Sequence, residues 1–177
     1  MNTLSNNRWI FVSFGHYLLL FLVGQLNHQL TYFHIHLTIT GLVIAFSSLE
    51  LNFRQSFLSL VPIAFFIDAK SPLVFGTSFI VILSLSTAIY MLRSRFRREQ
   101  ARTSIPISLA INLSVFSAYT FYSVKHMGWD QINIAMTFWN LFWSSLVIAI
   151  LHPIYFDLQI MMLEFIGIRI TEEQRET

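Results

Sequence analysis

The chain has 177 residues, of which 55% are hydrophobic and only 11% carry a charge. Soluble domains carry about 25% charged residues, so a chain of this composition lacks the polar surface that keeps a domain dissolved. The absence of cysteine excludes disulfides, thiolate metal sites and cysteine nucleophiles, and nucleic-acid binding has no support beyond one cluster of arginines. The composition therefore predicts a single integral membrane domain over residues 1–177.

Apolar runs alternate with short polar breaks, and their lengths approach the ~20 residues that an α-helix needs to cross a bilayer. Six spans are predicted, at residues 9–26, 32–49, 55–68, 73–92, 105–124 and 132–151. The first run lacks a small-residue cleavage site, so it is predicted to be a retained helix and not a signal peptide. His152-Pro153 then interrupts the pattern before an amphipathic helix over about 153–170, which lies along the interface or extends the sixth span.

A basic cluster between the fourth and fifth predicted spans sets the expected orientation of the bundle. It contains Arg93, Arg95, Arg97, Arg98 and Arg102. Basic residues beside membrane spans are retained in the cytoplasm, so this loop and both termini are predicted to be cytoplasmic. The loops assigned to the outside carry few full charges, which agrees with this orientation: Lys70, Lys125 and Asp130. An alternative with five spans merges the second and third runs into a broken pair and places the N-terminus outside.

Histidines are the main candidates for a ligand site. His16 lies inside the first span, whereas His28, His34 and His36 lie near the predicted outer face. A metal site needs three or four ligands, and no carboxylate accompanies these histidines locally. His16 is predicted to hydrogen-bond to another helix, with a proton relay as the alternative. The sequence contains no nucleophile elbow, phosphate loop or zinc-binding helix motif, so no catalytic residue, cofactor or metal ligand is predicted.

The most specific stretch of the sequence is Asp68-x-x-Ser71-x-x-x-x-Gly76, between the third and fourth predicted spans. An aspartate at a helix end followed by Ser-Pro predicts a turn in which Ser71 caps the next helix and Pro72 is its first residue. Gly76, one turn later, permits a close approach between helices. These residues are therefore predicted to shape a helix junction.

This stretch resembles the mid-chain motif of the rod shape-determining protein MreD family, whose members are small membrane proteins with about six spans. The segment from Ala64 to Gly76 matches the family pattern apolar-Asp-x-x-Ser-small-x-x-x-Gly, and a long span and a basic loop follow it here as they do in the family. Asn140 and Pro153 lie near the start and the end of a segment that looks like the family's last span.

The resemblance implies a non-catalytic scaffold subunit of the cell-elongation machinery in the bacterial cytoplasmic membrane. Members of the family associate with the bitopic protein MreC, and through it they couple MreB filaments in the cytoplasm to peptidoglycan synthases outside. Asp68, Ser71 and Gly76 would then be motif positions, and the arginine loop would face filament-associated partners or anionic lipids.

An alternative function from a different class is the substrate-binding subunit of a vitamin or metal transporter of the energy-coupling-factor type. Such subunits are six-span bundles of similar size. In this interpretation an outward pocket would be lined by the tryptophans of the sixth span and by four histidines, His16, His28, His34 and His36.

Overall fold

The computed structural model describes residues 7–71, 74–96, 100–128 and 133–166. Over these residues the chain forms six α-helices and one short 3₁₀ turn, and no strand. The helices are α1 (Arg8–Leu30), α2 (Thr40–Glu50), α3 (Phe53–Lys70), α4 (Thr77–Phe96), α5 (Gln100–Met127) and α6 (Ile134–Phe165). The predicted all-α class is confirmed.

Three stretches of the described chain are long and apolar enough to cross a membrane: Arg8–Phe33, Ser104–His126 and Ile134–Phe165. The shortest of them has 23 residues, which corresponds to about 35 Å of helix against a hydrocarbon core of about 30 Å. Large apolar side chains on these helices are exposed, among them Phe14 and Phe121. An apolar outer surface on helices of this length is typical of a membrane protein.

The shortest helix, α2, is the centre of the bundle. All 11 of its residues are buried, and it packs against α3, α4, α5 and α6. Its sequence is almost entirely apolar or small, and a helix that is apolar on all sides is buried. At 1.5 Å per residue α2 is about 17 Å long, so it extends across only about half of a hydrocarbon core.

The predicted second span, residues 32–49, is therefore helical only in its second half. Thr31–Phe33 forms a 3₁₀ turn that is followed by His34 with a positive φ of 54°. The chain then runs without regular structure until α2 begins at Thr40. We call residues 34–39 the entry segment. The prediction of a continuous helix here is wrong, because a different set of hydrogen bonds satisfies this part of the backbone.

Side chains from distant helices bind the backbone of the entry segment. Asn27 on α1 accepts from the amide of Leu37 at 2.7 Å and donates to its carbonyl oxygen at 2.9 Å. On α6, the side-chain oxygens of Asn140 and Ser144 each lie 2.9 Å from an entry-segment amide, those of His36 and Thr38 respectively. Non-helical backbone is tolerated at membrane depth where protein groups satisfy it in this way.

The last helix is longer than predicted, since α6 runs without a break from Ile134 to Phe165 and contains Pro153. His152-Pro153 does not break the helix, and of the two predicted placements of the amphipathic stretch, the extension of the sixth span is the one observed. Residues 167–170 of that predicted helix lie outside the described residues. A proline removes only one helical hydrogen bond, and packing of α6 against α5 and α1 keeps the helix continuous. Pro106, predicted in the first turn of its helix, is likewise inside α5.

The predicted arginine loop is largely helical, because α4 continues to Phe96 and α5 begins at Gln100. Arg93 lies inside α4 and is only 4% exposed. Its Nη1 donates to the carbonyl oxygen of Leu51 at 2.6 Å, which connects the end of α4 to the turn between α2 and α3. Arg95 and Arg102 lie within the bounds of α4 and α5, and Arg97 and Arg98 lie outside the described residues.

Candidate functional site

Asp68, in the last turn of α3, caps the N-terminus of α4. Its carboxylate accepts hydrogen bonds from three amides, with Oδ1 2.7 Å from Ser78 N and Oδ2 3.0 Å from Gly76 N and 3.3 Å from Phe79 N. The first amides of a helix have no partner within the helix, and a negative charge there also interacts favourably with the helix dipole. Asp68 is only 4% exposed. Its negative charge therefore stabilises the start of α4 inside the protein.

Gly76 is needed at this junction for its backbone conformation. Its φ is +97°, a value that glycine adopts readily and other residues adopt at a cost. A Cβ built at Gly76 would meet no atom within 4 Å. The prediction that Gly76 permits a close approach between helices is therefore wrong, and its role is to let the chain turn so that the amides of α4 face Asp68.

Ser71 ends α3 instead of starting α4. Its backbone is extended, and its amide donates to the carbonyl oxygens of Ile67 at 2.9 Å and Asp68 at 3.2 Å. Because α4 begins at Thr77, the prediction that Ser71 caps that helix is wrong. Asp68 takes the capping role from the preceding helix, and Pro72 lies outside the described residues.

The junction also includes α5, which the sequence did not indicate. The hydroxyl of Tyr119 donates to Ser78 Oγ at 2.9 Å, and Ser78 is fully buried. These two residues are 41 positions apart, and no local pattern relates them. The Asp68 junction, defined as Asp68, Gly76, Ser78 and Tyr119, thus joins α3, α4 and α5.

A second group of polar side chains, the His16 network, lies inside the bundle. His16 is fully buried. Its Nε2 lies 2.7 Å from Ser47 Oγ on α2, and its Nδ1 is hydrogen-bonded to the hydroxyl of Tyr155 on α6. Gln159 Nε2 donates to the same hydroxyl at 3.0 Å. The predicted hydrogen bonding of His16 to other helices is confirmed.

Buried serines extend the network from Ser47 into α3 and α4. Ser59 Oγ lies 3.0 Å from Ser47 Oγ and 2.8 Å from the carbonyl oxygen of Ser56, within hydrogen-bond distance of both. Ser86 Oγ then lies 3.2 Å from Ser56 Oγ and 2.9 Å from Ser48 Oγ. Small hydroxylated side chains allow helices to approach closely and satisfy one another in a medium without water. The network therefore fixes how α2 sits among its neighbours.

Gly15 makes room for the far end of this network. A Cβ at Gly15 would lie 1.9 Å from Nε2 of Gln159, a distance that no pair of such atoms tolerates. Gln159 is 2% exposed and approaches α1 over this glycine. No local sequence pattern indicates this pairing, because Gly15 and Gln159 are far apart in the chain.

Replacing Tyr155 with phenylalanine should lower the free energy of unfolding by about 1–2 kcal/mol, because His16 Nδ1 and the Gln159 amide both lose a buried partner. Unfolding by SDS in mixed micelles, followed by far-UV circular dichroism, measures the change. Tyr122→Phe on α5 is the control, since Tyr122 is partly exposed. Equal losses in the two variants would contradict the role given to the Tyr155 hydroxyl.

An open cavity of about 450 Å³ lies where α1 ends and α2 begins. This volume is within the range of about 300–1,000 Å³ that is usual for small-molecule sites. Its walls come from α1, the entry segment, α3 and α5, and its apolar part includes Leu20, Val23 and Phe66. Its polar lining includes Asn27, His36, Thr38, Thr40, Lys70 and Tyr119. We call it the α2 cavity.

The structure separates the histidines that the sequence grouped. His16 belongs to the buried network, His36 lines the α2 cavity, and His28 and His34 line a second, more open depression. Among the described residues, no three His, Asp or Glu side chains come together as a metal site. Trp139 and Trp143 contact each other edge to face on α6 and do not line the α2 cavity.

Comparison with known proteins gave no match to a family model, a curated protein or a solved structure. The fold and the sites define the class of protein on their own. Over the described residues it is an all-helical membrane protein in which a network around a buried histidine holds a short, fully buried helix, and a carboxylate-capped junction joins three of the surrounding helices.

Proposed function

We propose that the protein is a non-catalytic scaffold subunit of the bacterial cell-elongation machinery in the cytoplasmic membrane. The observation that carries this proposal is the use of Asp68 and Gly76, two of the residues on which the resemblance to the MreD family rests. Asp68 holds three amides of α4, and Gly76 provides the turn that presents them. These motif residues stabilise a helix junction. Such a role suits a protein that presents a fixed helix surface to its partners.

The proposed topology has six crossings with both termini in the cytoplasm. The entry segment and α2 together form the second crossing, α3 and α4 the third and fourth, and the arginine-rich connection after α4 lies on the cytoplasmic side. The Asp68 junction and the α2 cavity then lie towards the outer face, one helix length from the arginines.

The arginine-rich connection provides a test of this topology. Arg95, Arg97, Arg98 and Arg102 are replaced by glutamine, while Arg93 is kept because its buried bond to Leu51 supports the fold. We expect part or all of the protein molecules to insert in the opposite orientation, since the positive charge that keeps this connection in the cytoplasm is removed. A C-terminal fusion to green fluorescent protein reports the cytoplasmic side, and one to alkaline phosphatase reports the outside. Arg93→Gln alone should keep its orientation, and unchanged orientation of the fourfold variant would contradict the proposal.

The proposed partner is an MreC-like bitopic membrane protein, which would connect this chain indirectly to MreB-like filaments and to peptidoglycan synthases. The exposed apolar faces of α1, α5 and α6 offer the surface for such a contact. Tagged protein extracted from native membranes in a mild detergent should retain a partner with one span and a large outer portion. Retention of a pair of ATPases in its place would overturn the proposal.

A second candidate function is the substrate-binding subunit of an energy-coupling-factor-type transporter, which the α2 cavity favours. Of the four histidines expected to line its pocket, only His36 lies there. Copurification with the ATPase pair and retention of a vitamin or metal ion would distinguish this function from the scaffold.

A further inference from the structure

We propose that the α2 cavity binds a phosphate group, supplied either by the headgroup of a membrane lipid or by a soluble organic phosphate. This inference does not depend on the proposed scaffold function, because it concerns only the chemistry of the cavity wall. Three features of that wall carry it: a threonine hydroxyl that forms no hydrogen bond within the described residues, the N-terminus of a helix without an N-cap side chain, and a lysine with no acid beside it.

Thr40 supplies the first feature. It lines the cavity and is only 4% exposed, and within the described residues its hydroxyl forms no hydrogen bond. The other buried hydroxyls of the bundle, such as Ser47 and Ser78, each have a partner. The buried side-chain atoms without a partner do not include this oxygen, so it is accessible from the cavity and can bind a ligand oxygen there.

The second feature is the N-terminus of α2, where Thr40 is the first residue. The residue before it is Ile39, which has no side-chain group to cap the helix. The nearest substitute is Asn112 Oδ1, which lies 3.4 Å from the amide of Gly41. At the N-terminus of α4, by contrast, the carboxylate of Asp68 accepts hydrogen bonds from the first amides. The amide of Leu42 donates to the carbonyl oxygen of Ile39 at 3.0 Å, so the amide of Thr40 and the long bond of Gly41 leave donors for an anion, which the positive end of the helix dipole also favours.

The third feature is the charge of the wall. Lys70 lines the cavity with its Nζ 4.2 Å from the ring centroid of Phe66, and no aspartate or glutamate is among the lining residues. Asp68, two positions earlier, directs both carboxylate oxygens to α4 amides. An ammonium group and the N-terminus of a helix that line the same cavity are a combination that binds phosphate oxygens. The apolar wall formed by Leu20 and Val23 suits the organic part of the ligand.

The test uses the purified full-length protein in a neutral detergent at low ionic strength, where charge interactions are least screened. Three probes are titrated against the thermal unfolding midpoint: sodium phosphate, dihexanoyl phosphatidylglycerol, and dihexanoylglycerol, which lacks the phosphate. A ligand that binds only the folded protein raises this midpoint in a saturable way. We expect a rise with at least one phosphate probe and none with dihexanoylglycerol. A rise with sodium phosphate identifies a soluble anion as sufficient, whereas a rise only with the phospholipid identifies a headgroup.

Variants locate the effect in the cavity. Lys70→Gln should weaken binding of the effective probe about tenfold, and Thr40→Val should also weaken it, because each removes one group that holds the phosphate. Lys125→Gln is the matched control, since Lys125 is an exposed lysine at the end of α5. Lys70 is exposed, so its variant keeps the test valid even if Thr40→Val does not fold. No rise with either phosphate probe, an equal rise with dihexanoylglycerol, or unchanged binding by Lys70→Gln would overturn the proposal.

Discussion

Asp68→Ala is expected to lower the free energy of unfolding by about 3–5 kcal/mol, the largest effect of any single polar substitution in the bundle. The change removes the acceptor of three amides at the start of α4, and each buried donor left without a partner costs about 1–3 kcal/mol. The loss of a negative charge at the helix N-terminus adds to this. SDS unfolding in mixed micelles, followed by circular dichroism, measures the difference.

Two variants make this result specific to the cap. Asp68→Asn keeps one side-chain oxygen but directs an NH₂ group at the remaining amides, so its loss should lie between those of the wild type and the alanine variant. Asp157→Asn removes an exposed carboxylate in α6 and should change stability by less than about 0.5 kcal/mol. If Asp68→Ala lowered the free energy of unfolding by no more than Asp157→Asn does, Asp68 would not stabilise the bundle as the cap of α4.

Gly41→Ala is expected to be nearly as damaging, with a loss of about 2–4 kcal/mol. A Cβ at Gly41 would lie 2.6 Å from the Cβ and backbone nitrogen of Asn112 and from the carbonyl oxygen of Ser108. Backbone atoms cannot rotate out of the way, so α5 must move away from α2, the helix at the centre of the bundle. The same unfolding measurement tests this prediction.

The two other glycines within the described helices, Gly24 and Gly15, provide controls of opposite kinds. Gly24→Ala meets nothing within 4 Å, so it should stabilise α1 by about 0.5–1 kcal/mol, as alanine does in a helix interior. Gly15→Ala meets only the end of the Gln159 side chain, which can turn aside, and it should be milder than Gly41→Ala. A uniform effect of the three substitutions would show that helix propensity, and not the α2–α5 contact, decides the outcome.

The all-helical class could be predicted because apolar runs of membrane-spanning length are a local property of the sequence. The same signal placed both ends of α1 and α5 and the start of α6 within about five residues of their observed positions, whereas α6 ends 14 residues later than predicted. It failed at the entry segment, which adjoins the apolar run of α2 and was counted with that run to reach the length of a span. What holds that segment out of a helix is a set of side chains on α1 and α6, among them Asn140, 104 residues away from the amide that it binds.

The Asp68 junction shows how much of a structure a local sequence motif can predict. The spacing of Asp68, Ser71 and Gly76 indicated a turn between helices, but the capping residue was misassigned. Ser71 has the side chain preferred at such a position, whereas Asp68 reaches α4 only because the chain folds back at Gly76.

The partners of His16 lie 31 and 139 residues away, and Arg93, which looked like a loop residue, is buried in α4. Such contacts exist only in the folded bundle.

Depletion of the protein in its own host tests the scaffold function most directly. Expression is placed under a repressible promoter, and cell shape is followed by microscopy after repression, with wild-type protein supplied from a second copy as the control. The scaffold function predicts that rod-shaped cells become spherical on depletion and that the second copy restores rods. Cells that keep their rod shape and instead acquire a requirement for an added vitamin or metal ion would contradict it.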